Sequence, residues 1–340
     1  MATLSLEKPH ESATEKCLSP EEKQAKINEV RRMIGSITDK LPDLFSDASI
    51  SRYLRARNWN TKKAGQMLIQ TLKWRLDYRP DKIRWEEIAY EAETGKIYRA
   101  DYFDKYGRVV LVLRPGFQNT KAVSGQIRYL VYCMENAMKN LSSDQEQIVL
   151  LVDFRGWNSS STSIKATRET VYIVQNHYPE RLGLGILYNP PKIFESFWKM
   201  VKPFIEFMTF KKVRFVYSNN PQSEKIMEEL FDKDKLESAF GGRNSNGFDY
   251  EAYAQRMKED DQKMTNGCSS PSFNSSVISD SQQSELLSFN QGPDDEHFDE
   301  GGSSSSNETS SSNLGTLDNN KIPDQPREGN DVLRSNIVAA

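Results

Sequence analysis

Apolar residues in the first quarter of the chain recur every three or four positions, the spacing of amphipathic helices. Ser19 followed by Pro20 is a helix start, because it combines an N-cap hydroxyl with a proline at the first helical position. The apolar residues that follow on one face are Ile27, Val30, Ile34, Ile37 and Leu41. Further helices are predicted through "ISRYLRARNW", from about Asn60, and over "RWEEIAYEAETG". Residues 19–95 are therefore predicted to form a helical unit.

After Gly95 the pattern changes to short apolar runs that alternate with helical segments. "KIYRADYF" and "RVVLVLR" flank residues 104–107, which read as a hairpin turn. The later runs "QIVLLVDF", "GLGILYN" and "KVRFVYS" are separated by helical patterns. Strands that alternate with helices indicate βαβ units and a largely parallel sheet covered by helices. We predict an α/β domain over residues 96–243 and a trailing segment over 244–260.

The charge of the chain is unevenly distributed. Residues 261–340 contain 13 acidic and 4 basic residues, a net charge of −9, whereas residues 1–260 carry 41 basic and 35 acidic residues, a net charge of +6. The acidic segment is rich in Ser, Asn and Asp and is predicted to be a disordered tail. The basic body suits an anionic partner, such as a phospholipid surface or nucleic acid.

Cysteine usage and hydropathy bear on the compartment. The three cysteines, Cys17, Cys133 and Cys268, lie far apart, which fits a reducing compartment and neither a disulfide framework nor a metal site. The N-terminus lacks an apolar signal core, and no apolar run approaches the roughly 20 residues that cross a bilayer. We expect a cytoplasmic protein that associates transiently with membrane surfaces as a peripheral protein.

Sequence signatures of common enzymes are missing. The chain has no G-x-x-x-x-G-K-[ST], no G-x-G-x-x-G and no G-x-S-x-G. A Ser-His-Asp hydrolase would have to use His177, the one histidine of the predicted folded body, but a lone histidine at a helix end is more often a cap or a surface residue. Nearby Glu180 has three possible roles at this point: a catalytic acid, half of an ion pair, or a ligand for a molecule that is not chemically changed.

The segment "PPKIFESFWKMVKPFIEFMTF" is apolar over more of its circumference than the usual stripe of roughly 100°. Pro203 removes a backbone donor and should bend it. Two interpretations remain: a helix that covers the sheet, or a mobile lid with an apolar inner face and an aromatic outer face for a membrane interface. The residues assigned to the lid are Phe194, Phe197, Trp198, Val201, Pro203, Phe204 and Phe207.

Several motifs occur together and in order: "RYLRARNWNTKKAGQMLIQTLKWR", "DKYGRVV", "VDFRG", "HYPERLG", "VKPFIEFM" and "AFGG". Over about residues 19–243 the chain resembles the CRAL-TRIO lipid-transfer family, in particular its phosphatidylinositol transfer branch. The resemblance implies a helical N-terminal unit followed by an α/β domain with an apolar lipid-binding cavity.

The resemblance also implies a headgroup site. Arg57, the second arginine of "LRAR", is expected to bind the phosphate, and Glu180 of "YPER" the inositol. Thr209 and Lys212 complete that site. A guanidinium fits phosphate, and a carboxylate accepts hydrogen bonds from inositol hydroxyls.

A second lipid is less clearly indicated. The resemblance implies that phosphatidylcholine would be bound by two hydroxyl residues and one aromatic residue. The corresponding positions of this chain are Ile148, Leu150 and Met134, and all three side chains are apolar. Tyr178, the tyrosine of "YPER", is retained as a ligand-binding residue. The second ligand is therefore either phosphatidylcholine or another apolar molecule, such as a tocopherol- or sterol-like compound.

We expect a monomeric carrier that binds phosphatidylinositol and transfers it between membranes without converting it. It is expected to contact anionic membrane surfaces, to bind no nucleic acid, and to need no cofactor or metal. Two rivals remain: a lipid-sensing adaptor that exchanges its ligand slowly, and a lipid hydrolase that depends on His177.

Overall fold

Five helices precede the sheet in this computed structural model, which describes residues 18–160 and 162–266. They are α1 (Pro20–Ile34), α2 (Ile37–Lys40), α3 (Asp47–Ala56), α4 (Thr61–Tyr78) and α5 (Trp85–Ala92). The predicted start of α1 is confirmed: the Ser19 hydroxyl accepts from the Glu22 N–H at 3.2 Å, and the Glu22 carboxylate accepts from the Ser19 N–H at 2.7 Å. Gly35 ends α1 with a φ of 76°. The apolar face expected on one helix is thereby divided between two, and all five of its residues are buried in one cluster with α3 and α4.

The sheet has five strands: β1 (Ile97–Phe103), β2 (Val109–Leu113), β3 (Ile148–Asp153), β4 (Leu182–Tyr188) and β5 (Val213–Val216). Their spatial order follows their order in the chain. β1 and β2 form the predicted antiparallel hairpin, and the remaining pairs are parallel. The predicted largely parallel sheet is confirmed.

Six further helices are α6 (Val123–Lys139), α7 (Ile164–His177), α8 (Phe194–Val201), α9 (Phe207–Lys211), α10 (Pro221–Leu230) and α11 (Tyr250–Asn266). Successive side chains of a strand point to opposite faces of a sheet. On one face Leu187 packs in a cluster with residues of α8. On the other, Tyr188 packs in one cluster with residues of α6 and α10, and its ring meets Phe240 at 5.4 Å. Helices therefore cover both faces, as the βαβ pattern predicted.

Helix α11 was not predicted and runs six residues past residue 260, where the predicted trailing segment ends and the predicted tail begins. Its last turns are held by buried carboxylates: Asp260 lies 2.7 Å from the Arg99 guanidinium, and Asp261 accepts from the Trp85 N–H at 2.7 Å. The composition of the segment suggested a solvated acidic stretch, but these tertiary contacts order it.

Two expectations concern parts of the chain that the structure leaves untested. Residues 267–340 of the predicted tail lie outside the described residues, and the domain boundary at Gly95 stays a prediction. Within residues 18–160 and 162–266, no helix combines the length and apolar content needed to cross a bilayer.

Candidate lipid-binding site

Glu180 and Lys212 meet where two neighbouring strands begin. Glu180 lies two residues before β4 and Lys212 one residue before β5, and these strands run parallel. Their starting ends therefore share one edge of the sheet, and Lys212 Nζ lies 3.0 Å from Glu180 Oε2. Glu180 has a φ of 59°, in the left-handed region that costs a non-glycine residue about 1–3 kcal/mol. Such strain often marks functional sites, and here it places the carboxylate against Lys212.

Arg57 approaches the same region from the end of α3. Its Nη1 atom lies 3.4 Å from Glu206 Oε1 and donates to the Ala56 carbonyl at 3.0 Å. Glu206 directly precedes α9, and Lys212 directly follows it. The six helical steps from Glu206 to Lys212 span about 9 Å, so the two cations lie at opposite ends of one short helix.

Thr209 belongs to that short helix. Its carbonyl accepts from the Lys212 N–H at 3.0 Å, which closes the last turn of α9. The four residues that the resemblance implies, Arg57, Glu180, Thr209 and Lys212, are thus gathered around α9, although they are spread over 155 positions of the chain.

Tyr178 does not join this group. Its hydroxyl donates to Glu135 Oε1 at 2.7 Å, and the Arg75 guanidinium holds both Glu135 oxygens at 2.8 and 2.9 Å. Burial opposes ionisation of Glu135, but the charge and hydrogen bonds of Arg75 outweigh it and keep the pKa of this carboxyl below its usual value. Tyr178 is buried in this network, and its role as a ligand-binding residue stays a prediction.

His177 has a structural environment. Its ring stacks on Trp74 with centroids 4.2 Å apart and planes 4° from parallel, and Nδ1 lies 3.4 Å from the Thr71 hydroxyl. Burial, and then the charge of Arg75, lower the pKa of His177 to about 4. The imidazole is therefore neutral near pH 7. Of the two roles expected for a lone histidine at a helix end, a surface position is wrong, because His177 is buried in the last turn of α7.

The predicted lid helix is interrupted. It comprises α8, a 3₁₀ turn over Lys202–Phe204 that includes Pro203, an extended Ile205, and α9. We call this stretch, residues 194–211, the lid segment. The predicted bend at Pro203 is confirmed, because proline cannot donate the hydrogen bond that would continue α8.

The lid segment has a buried side and an exposed side. Phe194, Phe197 and Val201 are buried against Phe154 and Trp157 in one apolar cluster with Leu187 of the sheet. On the outside, the exposed fraction is 53% for Met200, 68% for Phe207 and 56% for Met208. Trp198 and Phe204 are half-buried. The inner packing fits a covering helix and the outer apolar side chains fit a membrane-contacting lid, so both interpretations stand.

Gln175 is a residue that sequence reasoning missed. Its Oε1 accepts from the Glu206 N–H at 2.8 Å, and its Nε2 donates to the Phe204 carbonyl at 3.1 Å. The amide of α7 thus binds both sides of Ile205, the extended link before α9. Helical periodicity gives no signal for this role, because a polar residue on a helix is ordinarily solvated.

The positions implied for phosphatidylcholine are apolar in their surroundings as well. Ile148 and Met134 are buried, and Leu150 is half-buried in the main core. Within the described ranges, no three His, Cys, Asp or Glu side chains come together as a metal site would require.

Comparison with known proteins agrees with the fold and the motifs. Residues 92–242 match the CRAL/TRIO domain, and residues 20–70 match the CRAL/TRIO N-terminal domain. The crystal structure of Sfh5 covers 74% of this chain and 98% of its own, with a TM-score of 0.55 and 17% identity, which supports the fold alone.

Three relatives illustrate the range of similarity. A CRAL-TRIO domain-containing protein of Schizosaccharomyces pombe is 36% identical over 211 residues, which are 62% of this chain and 20% of that protein. The phosphatidylinositol transfer protein PDR17 of Saccharomyces cerevisiae is 31% identical over 228 residues, 63% of each chain. The SEC14 cytosolic factor of Kluyveromyces lactis is 27% identical over 248 residues, 66% of this chain and 79% of its own. The chain thus spans less than two thirds of the first two. The two domain matches together take in more than half of the sequence, and the chain belongs to the CRAL-TRIO family.

Proposed function

We propose that this chain binds phosphatidylinositol and transfers it between membranes without chemical conversion. The observation that carries the proposal is the gathering of Arg57, Glu180, Thr209 and Lys212 around α9, beside the apolar sheet face under α8. The guanidinium and ammonium groups suit a phosphodiester, and the carboxylate suits inositol hydroxyls. The relative named as a phosphatidylinositol transfer protein supports the same ligand class.

The acyl chains need an apolar environment comparable to a bilayer. Each buried CH₂ contributes about 0.8 kcal/mol, so one sixteen-carbon chain amounts to roughly 12 kcal/mol. The half-buried Leu150, Val152 and Val213 lie on the sheet face that α8 covers. In this proposal the lid segment opens near Pro203, admits the lipid and recloses over it.

The outer side of the lid segment is a surface suited to membrane contact. Exposed Met200, Phe207 and Met208 lie among Lys199, Lys202 and Lys211, and the Lys211 ammonium lies 4.4 Å from the Phe207 ring centroid. Apolar side chains with neighbouring lysines suit the interface of an anionic membrane. We propose that the protein is cytoplasmic and docks transiently on membranes through this side. We also propose that it acts as a monomer.

Transfer of labelled phosphatidylinositol between liposomes tests the proposal. Arg57→Ala combined with Lys212→Ala removes two charge-assisted hydrogen bonds, each about 1.5 kcal/mol, and should lower affinity about 100-fold. Arg55→Ala combined with Lys233→Ala is the matched control, since it removes the same two charges from ion pairs outside the lid segment. Loading of an uncharged fluorescent hydrophobe should survive in both. Normal phosphatidylinositol transfer by the first double variant would contradict the headgroup site.

A second ligand is favoured by a separate observation. Ile148, Leu150 and Met134 offer neither hydroxyl nor aromatic ring to a choline headgroup. We propose that the second ligand is an uncharged apolar molecule, such as a tocopherol- or sterol-like compound. Native mass spectrometry of the purified protein with lipid identification decides this: bound phosphatidylcholine contradicts it. Bound lipid that exchanges only slowly in the transfer assay would favour a lipid-sensing adaptor over a carrier.

A further inference from the structure

Both cations of the proposed headgroup site hold a carboxylate in the structure. Lys212 pairs with Glu180 at 3.0 Å, and Arg57 pairs with Glu206 at 3.4 Å. The formal charges of these four side chains sum to zero. A neutral site attracts a phosphate only weakly. Binding of an anionic ligand therefore depends on whether these two ion pairs stay intact.

Charge balance indicates which carboxylate must move. A phosphodiester carries one negative charge, and Glu180 is needed as the acceptor for hydroxyl groups. Arg57 and Lys212 with Glu180 alone give a net charge of +1, which matches one phosphodiester. With Glu206 still paired to Arg57, the occupied site would hold a net charge of −1, and a phosphate bound to Arg57 would be repelled by the Glu206 carboxylate on the same guanidinium.

Glu206 also lies at a mechanically sensitive position. It separates extended Ile205 from α9, and its backbone N–H donates to Gln175, whose amide also binds the Phe204 carbonyl. Its side chain reaches Arg57 on α3. The pair therefore attaches the C-terminal part of the lid segment to the N-terminal helices, in addition to the attachment that Gln175 makes to α7.

We propose that Glu206 is an internal competitor of the lipid phosphate for Arg57, so that headgroup binding detaches this end of the lid segment from α3. The inference rests on the proposed phosphatidylinositol site and adds a regulatory residue to it. Glu206 is a positioning residue that touches Arg57, and Gln175 holds the adjoining backbone during the exchange. Headgroup recognition and lid release thereby become one event.

Calorimetric titration of the full chain with glycerophosphoinositol tests the competition. Glu206→Gln should bind about two- to fivefold tighter, the gain expected from removing one partly exposed ion pair. Glu206→Asp keeps the charge and should stay near the unmodified protein, and Glu195→Gln, on the exposed side of α8, is the control. Thermal unfolding of Glu206→Gln should be unchanged, which separates competition from a structural effect.

Two further arms decide the interpretation. In an Arg57→Ala background, Glu206→Gln should give no gain, and a gain that persists there overturns the proposal. No gain from Glu206→Gln alone, while the Arg57→Ala and Lys212→Ala double variant loses transfer, overturns the competition and leaves the proposed function standing. Normal transfer by that double variant overturns both. Inorganic phosphate is the second probe. A gain in affinity confined to glycerophosphoinositol supports competition with a lipid headgroup. An equal gain with inorganic phosphate overturns the link between Glu206 and the lipid headgroup.

Discussion

Phe194→Ala, compared with Phe240→Ala, distinguishes a lid from a covering helix. The Phe194 ring lies at the centre of the apolar cluster under α8, with centroids 4.5 Å from Phe154, 5.4 Å from Trp157, 5.7 Å from Phe197 and 6.0 Å from Trp198. Truncating a buried phenylalanine to alanine costs about 3–5 kcal/mol. The question is which structural transition shows that loss.

The answer depends on whether α8 opens independently of the sheet. If the lid segment opens locally, its amides exchange hydrogen through that opening, which breaks the contacts of Phe194 but not those of Phe240. Amide protection of α8 should then fall between about 100-fold and a few thousand-fold in Phe194→Ala and stay unchanged in Phe240→Ala. If α8 is part of the common core, its amides exchange only through global unfolding, and both segments lose protection together.

Hydrogen exchange followed by mass spectrometry of peptides from α8 and β3 provides the measurement. Met200→Ala is the matched control on the same helix, because that side chain is 53% exposed and its loss should leave protection unchanged. Phe240→Ala removes a buried ring from the other sheet face and should lower protection of β3 alone if α8 opens locally. An equal fall in both peptides for Phe240→Ala would refute lid gating and identify α8 as a covering helix.

Three further predictions concern the buried His177, the ion pair of Glu135 with Arg75, and the exposed side of the lid segment. The folded-state pKa of His177 is about 4, below its ordinary 6.5, so the unfolded chain binds the proton first and stability should fall by ~3 kcal/mol as the pH drops from 6.5 to 4; His177→Phe keeps the stack on Trp74, and urea titrations should show a smaller fall over that range. Glu135→Ala leaves the buried Arg75 without this carboxylate and should lower the free energy of unfolding by about 3–5 kcal/mol in urea. Phe207→Ser should leave the melting temperature unchanged but reduce vesicle cosedimentation about tenfold, since its exposed ring gains about 1.5 kcal/mol or more on entering a membrane interface.

Local pattern predicted most of the fold. Periodicity of three or four located the helices, and short apolar runs located the strands, because each reports which face of an element is buried. Helix α11 escaped prediction for the converse reason. Asp260 and Asp261 look like solvated acids in sequence, and only their contacts with Arg99 and the Trp85 N–H keep them inside.

The candidate site was accessible mainly through resemblance. Glu180 and Lys212 are 32 positions apart and meet because β4 and β5 are neighbours, a fact of sheet order that no local pattern contains. Arg57 and Glu206 are 149 positions apart, and nothing in the composition of either segment links them. Tyr178 shows the opposite case: its motif position is plain in sequence, but its hydroxyl partner, Glu135, depends on how α6 packs.

The ion pairs of this protein differ in how readily they can be exchanged for a ligand. The pairs of Arg75 with Glu135 and Arg99 with Asp260 have side chains at most 14% exposed, and separating either would strand a buried charge at a cost of several kcal/mol. The Lys212 and Arg57 pairs are 22–45% exposed, and such pairs contribute about 0–1 kcal/mol. A ligand phosphate can therefore replace a carboxylate at these two cations at little cost to the fold. Since both pairs flank α9 at the end of the lid segment, an anionic headgroup that displaces Glu206 from Arg57 would act on the element that moves in the proposed mechanism.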